Sequence, residues 1–210
     1  MSGKKTGLVL SHIFVESSEK TKFDWVEKAL EKYKDLGVDF FSVLCGHGLK
    51  PPKSLSEQFD EIYWEREILT REVGRGHPHF SVKGFEICKN AGCEKTLKTR
   101  AYDYIENVEI FSEHLAISEQ TDLSKGIIGD LFMYGETQYL IDWWTKNPWD
   151  YSTNGLSNLY KNMPNNLPAE ALFLSPEKLG WKTFEDNANT YWGHHKNYEW
   201  HGGGGIKKCQ

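Results

Sequence analysis

The sequence predicts an α/β domain built on a mostly parallel sheet flanked by helices, followed by an irregular, aromatic-rich C-terminal region. Three observations carry this expectation. Strand-length apolar runs alternate with segments of helical period through residue 146. Two of these runs, at 7–13 and 38–44, are joined by one amphipathic segment, and strand-helix-strand in so short a space implies a right-handed crossover and a parallel pair. After Pro148, Asn, Pro, Trp and Tyr become more frequent and periodicity weakens, so regular alternation gives way to an elaboration.

Residues 7–13 (Gly-Leu-Val-Leu-Ser-His-Ile) read as a buried strand, with a polar linker running on to Lys20. Thr21 with Asp24 makes a start like a capping box. Phe23, Val26, Leu30 and Tyr33 then recur at helical spacing until Gly37 closes the segment. Residues 38–44 (Val-Asp-Phe-Phe-Ser-Val-Leu) form the second strand, and Gly46, Gly48, Pro51 and Pro52 predict a loop after it. The Phe, Ile, Tyr and Trp of 59–64 suit a pleat better than a helix. The turn Gly74-Arg75-Gly76-His77-Pro78 precedes a helix opened by Pro78 and stopped at Gly92.

A strand follows over 96–101. Ile105, Val108, Phe111 and Leu115 share one stripe and predict a helix over 105–115. Short strands at 126–128 and 131–134 flank Asp130, a helix spans 136–146, and another starts at Pro168 with Asn166 near its cap. Residues 1–190 are expected to form one domain, and 191–210, with four consecutive glycines at 202–205, a mobile tail.

A chain of 210 residues is long enough to bury a core without disulfides or metals. Its 39% hydrophobic and 26% charged residues argue against disorder and against a membrane protein. A net charge of −5 provides no global attraction for nucleic acid, so any anion site is local. The apolar stretch from Gly7 is interrupted by Ser11 and His12 and lacks a small-residue cleavage site, so it reads as a strand and not a signal peptide. No run approaches the roughly 20 apolar residues of a spanning helix, and the expected location is cytoplasmic. Cys45, Cys88, Cys93 and Cys209 form no Cys-x-x-Cys pair and are expected to be reduced thiols, with Cys88 in the core and Cys93 near a turn.

Residues 96–103 (Thr-Leu-Lys-Thr-Arg-Ala-Tyr-Asp) carry the strongest chemical signal. Lys98 and Arg100 lie two apart and point to one side of a strand. Asp103 follows the strand end, where open α/β sheets bind ligands. A basic pair followed by a carboxylate suits a polyphosphate and its metal, hence a nucleotide-sugar. The plain alternative is an edge strand with solvated charges.

The order of segments now resembles a family. Gly-His-Pro opening a helix, Leu-Lys-Thr-Arg-Ala-Tyr-Asp at 97–103, Gly-Asp-Leu-Phe-Met-Tyr-Gly at 129–135 and Pro-Ala-Glu at 168–170 are similar to the WavE-type lipopolysaccharide-synthesis proteins. The likeness covers about residues 8–180. It implies a GT-A-like fold and a glycosyltransferase using a nucleotide-sugar donor and a saccharide acceptor in surface-polysaccharide or lipopolysaccharide synthesis. In that family the Lys98, Arg100 and Asp103 segment stands where GT-A enzymes place Asp-x-Asp. Here Ala101 and Tyr102 precede a single carboxylate, so two-point chelation is absent.

Transfer from a nucleotide-sugar needs neutralisation of the leaving diphosphate, a base and a sugar surface. Asp103 is the candidate ligand for Mg²⁺ or Mn²⁺, with substrate phosphates and water completing the shell. Arg100 is the candidate phosphate clamp, or else an internal partner of Asp103. Ser11 and His12, at the end of the first strand, are placed to meet the nucleotide. For the base, Asp130 beside Ile127 and Ile128 competes with Glu170, although each also reads as a turn or helix-start carboxylate. His47, His77 and His79 make a poor zinc set. Six of eight tryptophans lie after residue 140 and suit an acceptor side, and adjacent Trp143 and Trp144 diverge so that at most one faces the core. Two other readings remain open: a non-catalytic carbohydrate- or nucleotide-binding domain of the same fold, and a metal-dependent hydrolase.

Overall fold

Strand β1 (Thr6–Val15) lies in the interior of the sheet because its side chains are apolar on both faces. The computed structural model describes residues 6–66, 73–107, 109–112, 115–118, 132–146, 172–174, 176–184, 198–201 and 205–208. After β1 come α1 (Thr21–Asp35), β2 (Phe40–Gly48), the single turn α2 (Lys53–Ser56), β3 (Glu61–Glu65), α3 (Val73–Asn90) and β4 (Lys95–Arg100). A short β5 (Asp103–Tyr104) and a 3-10 turn (Glu109–Ser112) lead to β6 (Leu115–Ser118). Then follow β7 (Phe132–Glu136), α4 (Thr137–Lys146), β8 (Leu172–Leu174), α5 (Pro176–Leu179), β9 (Lys182–Thr183), β10 (Tyr198–His201) and β11 (Gly205–Lys208).

The main sheet has the order β3-β2-β1-β4-β7-β6-β8. β3, β2, β1 and β4 run parallel, β7 runs against both neighbours, and β8 is parallel to β6. Leu8 and Leu10 face α1 in one core with Phe23, Val26, Leu30 and Tyr33. Val9, Val43 and Cys45 face Phe80, Phe85 and Cys88 of α3 and Leu140 and Trp144 of α4 in the other. Helices therefore cover both faces, and four parallel strands end on one edge. No helix among the described residues is long and apolar enough to cross a membrane.

Several local expectations change once the packing is known. No capping box forms at α1: Thr21 is already helical, Lys20 occupies the cap without a side-chain bond, and a turn from Glu19 starts the helix. Gly46 and Gly48 belong to β2 and not to a loop. At Gly46 a Cβ would sit 2.6 Å from both the Ile13 carbonyl oxygen and the Trp64 ring, so the glycine serves close approach within a strand. Helix α3 begins five residues before Pro78, which falls inside it.

The 105–115 segment is not one helix. Glu106 and Asn107 donate their amides to the Leu179 carbonyl, so backbone groups a helix would use are taken by the distant α5 segment. Trp143 and Trp144 are both buried, at 4% and 2% exposure, because α4 packs on the sheet and on α3 at once. The 96–101 strand is interior, lying between β1 and β7, which removes the edge-strand reading. Cys88 and Cys93 are free thiols and Cys88 is in the core, as expected, while Cys93 is buried in the same core cluster. The strands and helix expected at 126–128 and 168, with Asp130, Glu170, Trp149 and Trp192, lie outside the described residues, as do the side chains of His12, His77 and Trp200.

Candidate functional site

The carboxyl edge of the parallel strands gathers two groups of polar side chains. The first lies where β1 meets β4. Ser11 and Arg100 are register partners across these strands, so two residues 89 apart in sequence become neighbours. The Ser11 hydroxyl is buried, 3.4 Å from the Ser81 hydroxyl on α3, and donates to the Thr99 carbonyl at 3.4 Å. Lys98 has no exposed surface, and its ammonium lies 5.3 Å above the Trp144 ring. The Lys98 cation is thus enclosed beneath α4, and Arg100, at 6% exposure, stands nearer the edge.

Asp103 leaves the sheet immediately after β4 and enters a two-stranded ribbon with Thr183. Its carboxylate is 1% exposed and accepts from the Trp181 indole at 3.3 Å. Phe184 also donates its amide to the Tyr102 carbonyl at 3.1 Å. The C-terminal segment therefore clamps the aspartate in place. Beneath it, the Tyr33 hydroxyl lies beside that of Thr99 without the geometry of a hydrogen bond. Burial, with the Asp103 charge adding, pushes the Tyr33 phenol well above its ordinary range.

The second group lies where β1, β2 and β3 end. Phe14, His47 and Glu65 form a row across the three strands. His47 is stacked between Phe14 at 4.9 Å and Phe80 at 5.2 Å. Burial holds its imidazole below the ordinary value, with the nearby Glu65 charge opposing, and its buried Nδ1 lacks a hydrogen-bond partner. Glu65 Oε1 accepts from Tyr63 at 2.6 Å and lies 2.8 Å from His79 Nε2. Burial pushes the Glu65 carboxyl up, but the Tyr63 and His79 hydrogen bonds and the two imidazoles together outweigh it and leave the group below its ordinary value. Burial and the Glu65 contact push the Tyr63 phenol up to about 12.

This second group was not expected as a unit. The sequence offers His47 and His79 only as members of a poor zinc set, whereas the register of β2 with β3 brings His47 beside Glu65 and the packing of α3 brings His79 to the same carboxylate. Among the described residues no group of three or more His, Cys, Asp or Glu side chains could hold a metal ion. Asp103 offers one carboxylate with one oxygen already accepting from Trp181, so the described residues do not make up a cation site.

No family model and no curated protein matches the sequence. Among solved structures, the glycosyltransferase GlyE of Streptococcus pneumoniae TIGR4 superposes with a TM-score of 0.50 at 10% identity, over 83% of this chain and 46% of that one. The fold is GT-A-like. This chain thus spans about half the length of GlyE. 4-Diphosphocytidyl-2C-methyl-D-erythritol synthase from Anaerococcus prevotii DSM 20548 gives 0.49 at 12% identity, covering 83% of this chain and 90% of that one. A glycosyltransferase involved in glycosylation of the major capsid of PBCV-1 gives 0.44 at 12% identity, covering 81% and 82%. In a GT-A-like sheet the carboxyl edge carrying Ser11, Arg100 and Asp103 is the side on which open α/β sheets take ligands.

Proposed function

We propose that the chain is a glycosyltransferase that moves a sugar from a nucleotide-sugar donor to a saccharide acceptor, in surface-polysaccharide or lipopolysaccharide synthesis of the WavE type. The observation that carries this reading is the meeting of Arg100 with Ser11 at the carboxyl edge of a GT-A-like sheet, with Asp103 three residues on. Arg100 supplies the fork that a diphosphate needs. Lys98, enclosed below, adds positive potential without contact. In the transfer the acceptor oxygen bonds to the anomeric carbon, the bond from that carbon to the diphosphate oxygen breaks with its electron pair leaving on phosphate, and the acceptor proton passes to a carboxylate. Asp130 and Glu170 are the candidates for that base. A Mg²⁺ or Mn²⁺ ion, where bound, would stabilise charge on the leaving group.

The test is thermal unfolding with a panel of nucleoside diphosphates and nucleotide-sugars, with and without Mn²⁺ or Mg²⁺, followed by turnover assays with the best donor. A ligand that binds the folded state alone adds about 2.7 kcal/mol of stability at 100 times its Kd and so raises Tm. Donor hydrolysis or transfer is expected to disappear in Asp103→Ala and Asp130→Asn while both variants remain folded, Asp103→Ala with a Tm lowered by loss of the Trp181 hydrogen bond. Full turnover in both variants overturns the assignment of these residues. The single, enclosed carboxylate at 103 favours a second reading, a binding domain of the same fold, for which a nucleotide shift without turnover is the expected result.

A further inference from the structure

An open cavity of about 750 Å³ lies beside the edge strand β3, between it and the α2 crossover and three strands away from β4 and Arg100. Three strand spacings separate β3 from β4, about 14 Å at roughly 4.8 Å each. Its apolar lining is Phe59, Ile62 and Trp64, and its polar lining includes Lys50, Asp60 and Glu61.

Two of these groups are fixed before any ligand arrives. The Trp64 indole donates to the Gly48 carbonyl at 3.3 Å and is braced by Phe23 at 6.2 Å. Asp60 Oδ2 accepts from both the amide and the hydroxyl of Ser42, at 2.8 and 3.0 Å. A rigid indole plate beside a rigid carboxylate loses little freedom on binding. The charges lining the cavity balance, with Lys50 and Lys53 against Asp60 and Glu61, so the cavity has no net attraction for a nucleotide or another polyanion. It combines donors, acceptors and an aromatic plate in a volume suited to a few linked rings.

We infer that this cavity is a binding site for a neutral oligosaccharide, separate from the donor site. One pyranose stacks its apolar face on Trp64, while its hydroxyls bond to Asp60 and Lys50. The site does not depend on the transferase reading, because it needs neither a nucleotide nor Arg100.

The probe is a set of neutral tetrasaccharides (malto-, cello-, manno- and chito-), titrated by calorimetry into the full chain. At least one is expected to bind with a millimolar or tighter Kd. That binding is expected to fall at least tenfold in Trp64→Ala and severalfold in Lys50→Ala, and to keep most of its strength in Trp64→Phe. Lys50→Ala alters a loop side chain on the cavity wall and keeps the test decisive if Trp64→Ala does not fold. Nucleotide-induced shifts in Tm are expected to be unchanged in Lys50→Ala, which separates this site from the donor site. Failure of all four sugars to bind overturns the inference, as does binding that survives Trp64→Ala and Lys50→Ala. Capture of an extended pentapeptide by β3 in place of any sugar also overturns it.

Discussion

Gly84→Ala is a test of where α3 sits, and α3 is the element that delivers His79, Phe80 and Ser81 to the carboxyl edge. In a free helix this change stabilises by about 1 kcal/mol, because alanine loses less conformational freedom than glycine. Here the added methyl would fall inside contact distance of Val9 Cγ1, and lie 3.1 Å from Val9 Cγ2 and 3.2 Å from Cys45 Sγ. Val9 is fully buried and β-branched, so it has no open rotamer into which to retreat. Overpacking of this kind costs about 1–3 kcal/mol. Set against the helix gain, the net loss is about 0–2 kcal/mol, or up to about 8 °C in Tm for a chain of this size.

Urea unfolding of parent, Gly84→Ala, Val9→Ala and the double variant measures the coupling. Val9→Ala opens a space for the new methyl, so the double variant is expected to be more stable than the sum of the singles by about 1 kcal/mol. A Gly84→Ala protein more stable than its parent would refute the contact between α3 and β1. The placement of Ser81 beside Ser11 would then fall with it.

Three further outcomes are expected. Glu65→Gln is predicted to cost about 1 kcal/mol at pH 7, the discounted worth of two charge-assisted bonds at a partly exposed site. Because the Glu65 carboxyl lies below its ordinary value of 4.5, its contribution is present above that pH and lost as pH falls through the folded value, so the gap between variant and parent should close in acid unfolding curves. His47 has the same sign in a higher window: its imidazole resists protonation in the fold, so stability should fall as pH drops below its ordinary 6.5, and His47→Phe should flatten that limb in melts taken between pH 7 and 5. Trp181→Phe removes the donor to Asp103 and is expected to cost about 1–2 kcal/mol, with a weaker nucleotide-induced Tm shift, as measured by parallel melts with and without ligand.

Much of the fold was legible because period and punctuation are local properties. Strands β1, β2, β3, β4 and β7 and helices α1, α3 and α4 each announce themselves by apolar spacing and by glycine or proline near their ends. The errors arose where a distant segment claimed the local chain. The stripe at Ile105, Val108, Phe111 and Leu115 has helical spacing, but Leu179 takes the amides of Glu106 and Asn107. Gly46 looks like a turn residue, and only the approach of Ile13 and Trp64 explains it as a strand glycine.

By itself the sequence determined the alternation of elements, the parallel crossover from β1 to β2, and the position of Arg100 and Asp103 around the end of β4. These follow from covalent order and side-chain period in stretches where no distant segment competes for the backbone. Only the tertiary structure decided that Lys98 is enclosed over Trp144, that Trp181 returns to hold Asp103, and that His47, Glu65, His79 and Tyr63 share one corner. The physical reason is register: a pleat fixes which side a residue faces, but its neighbours across the sheet depend on which strands pair and on where the intervening helices land.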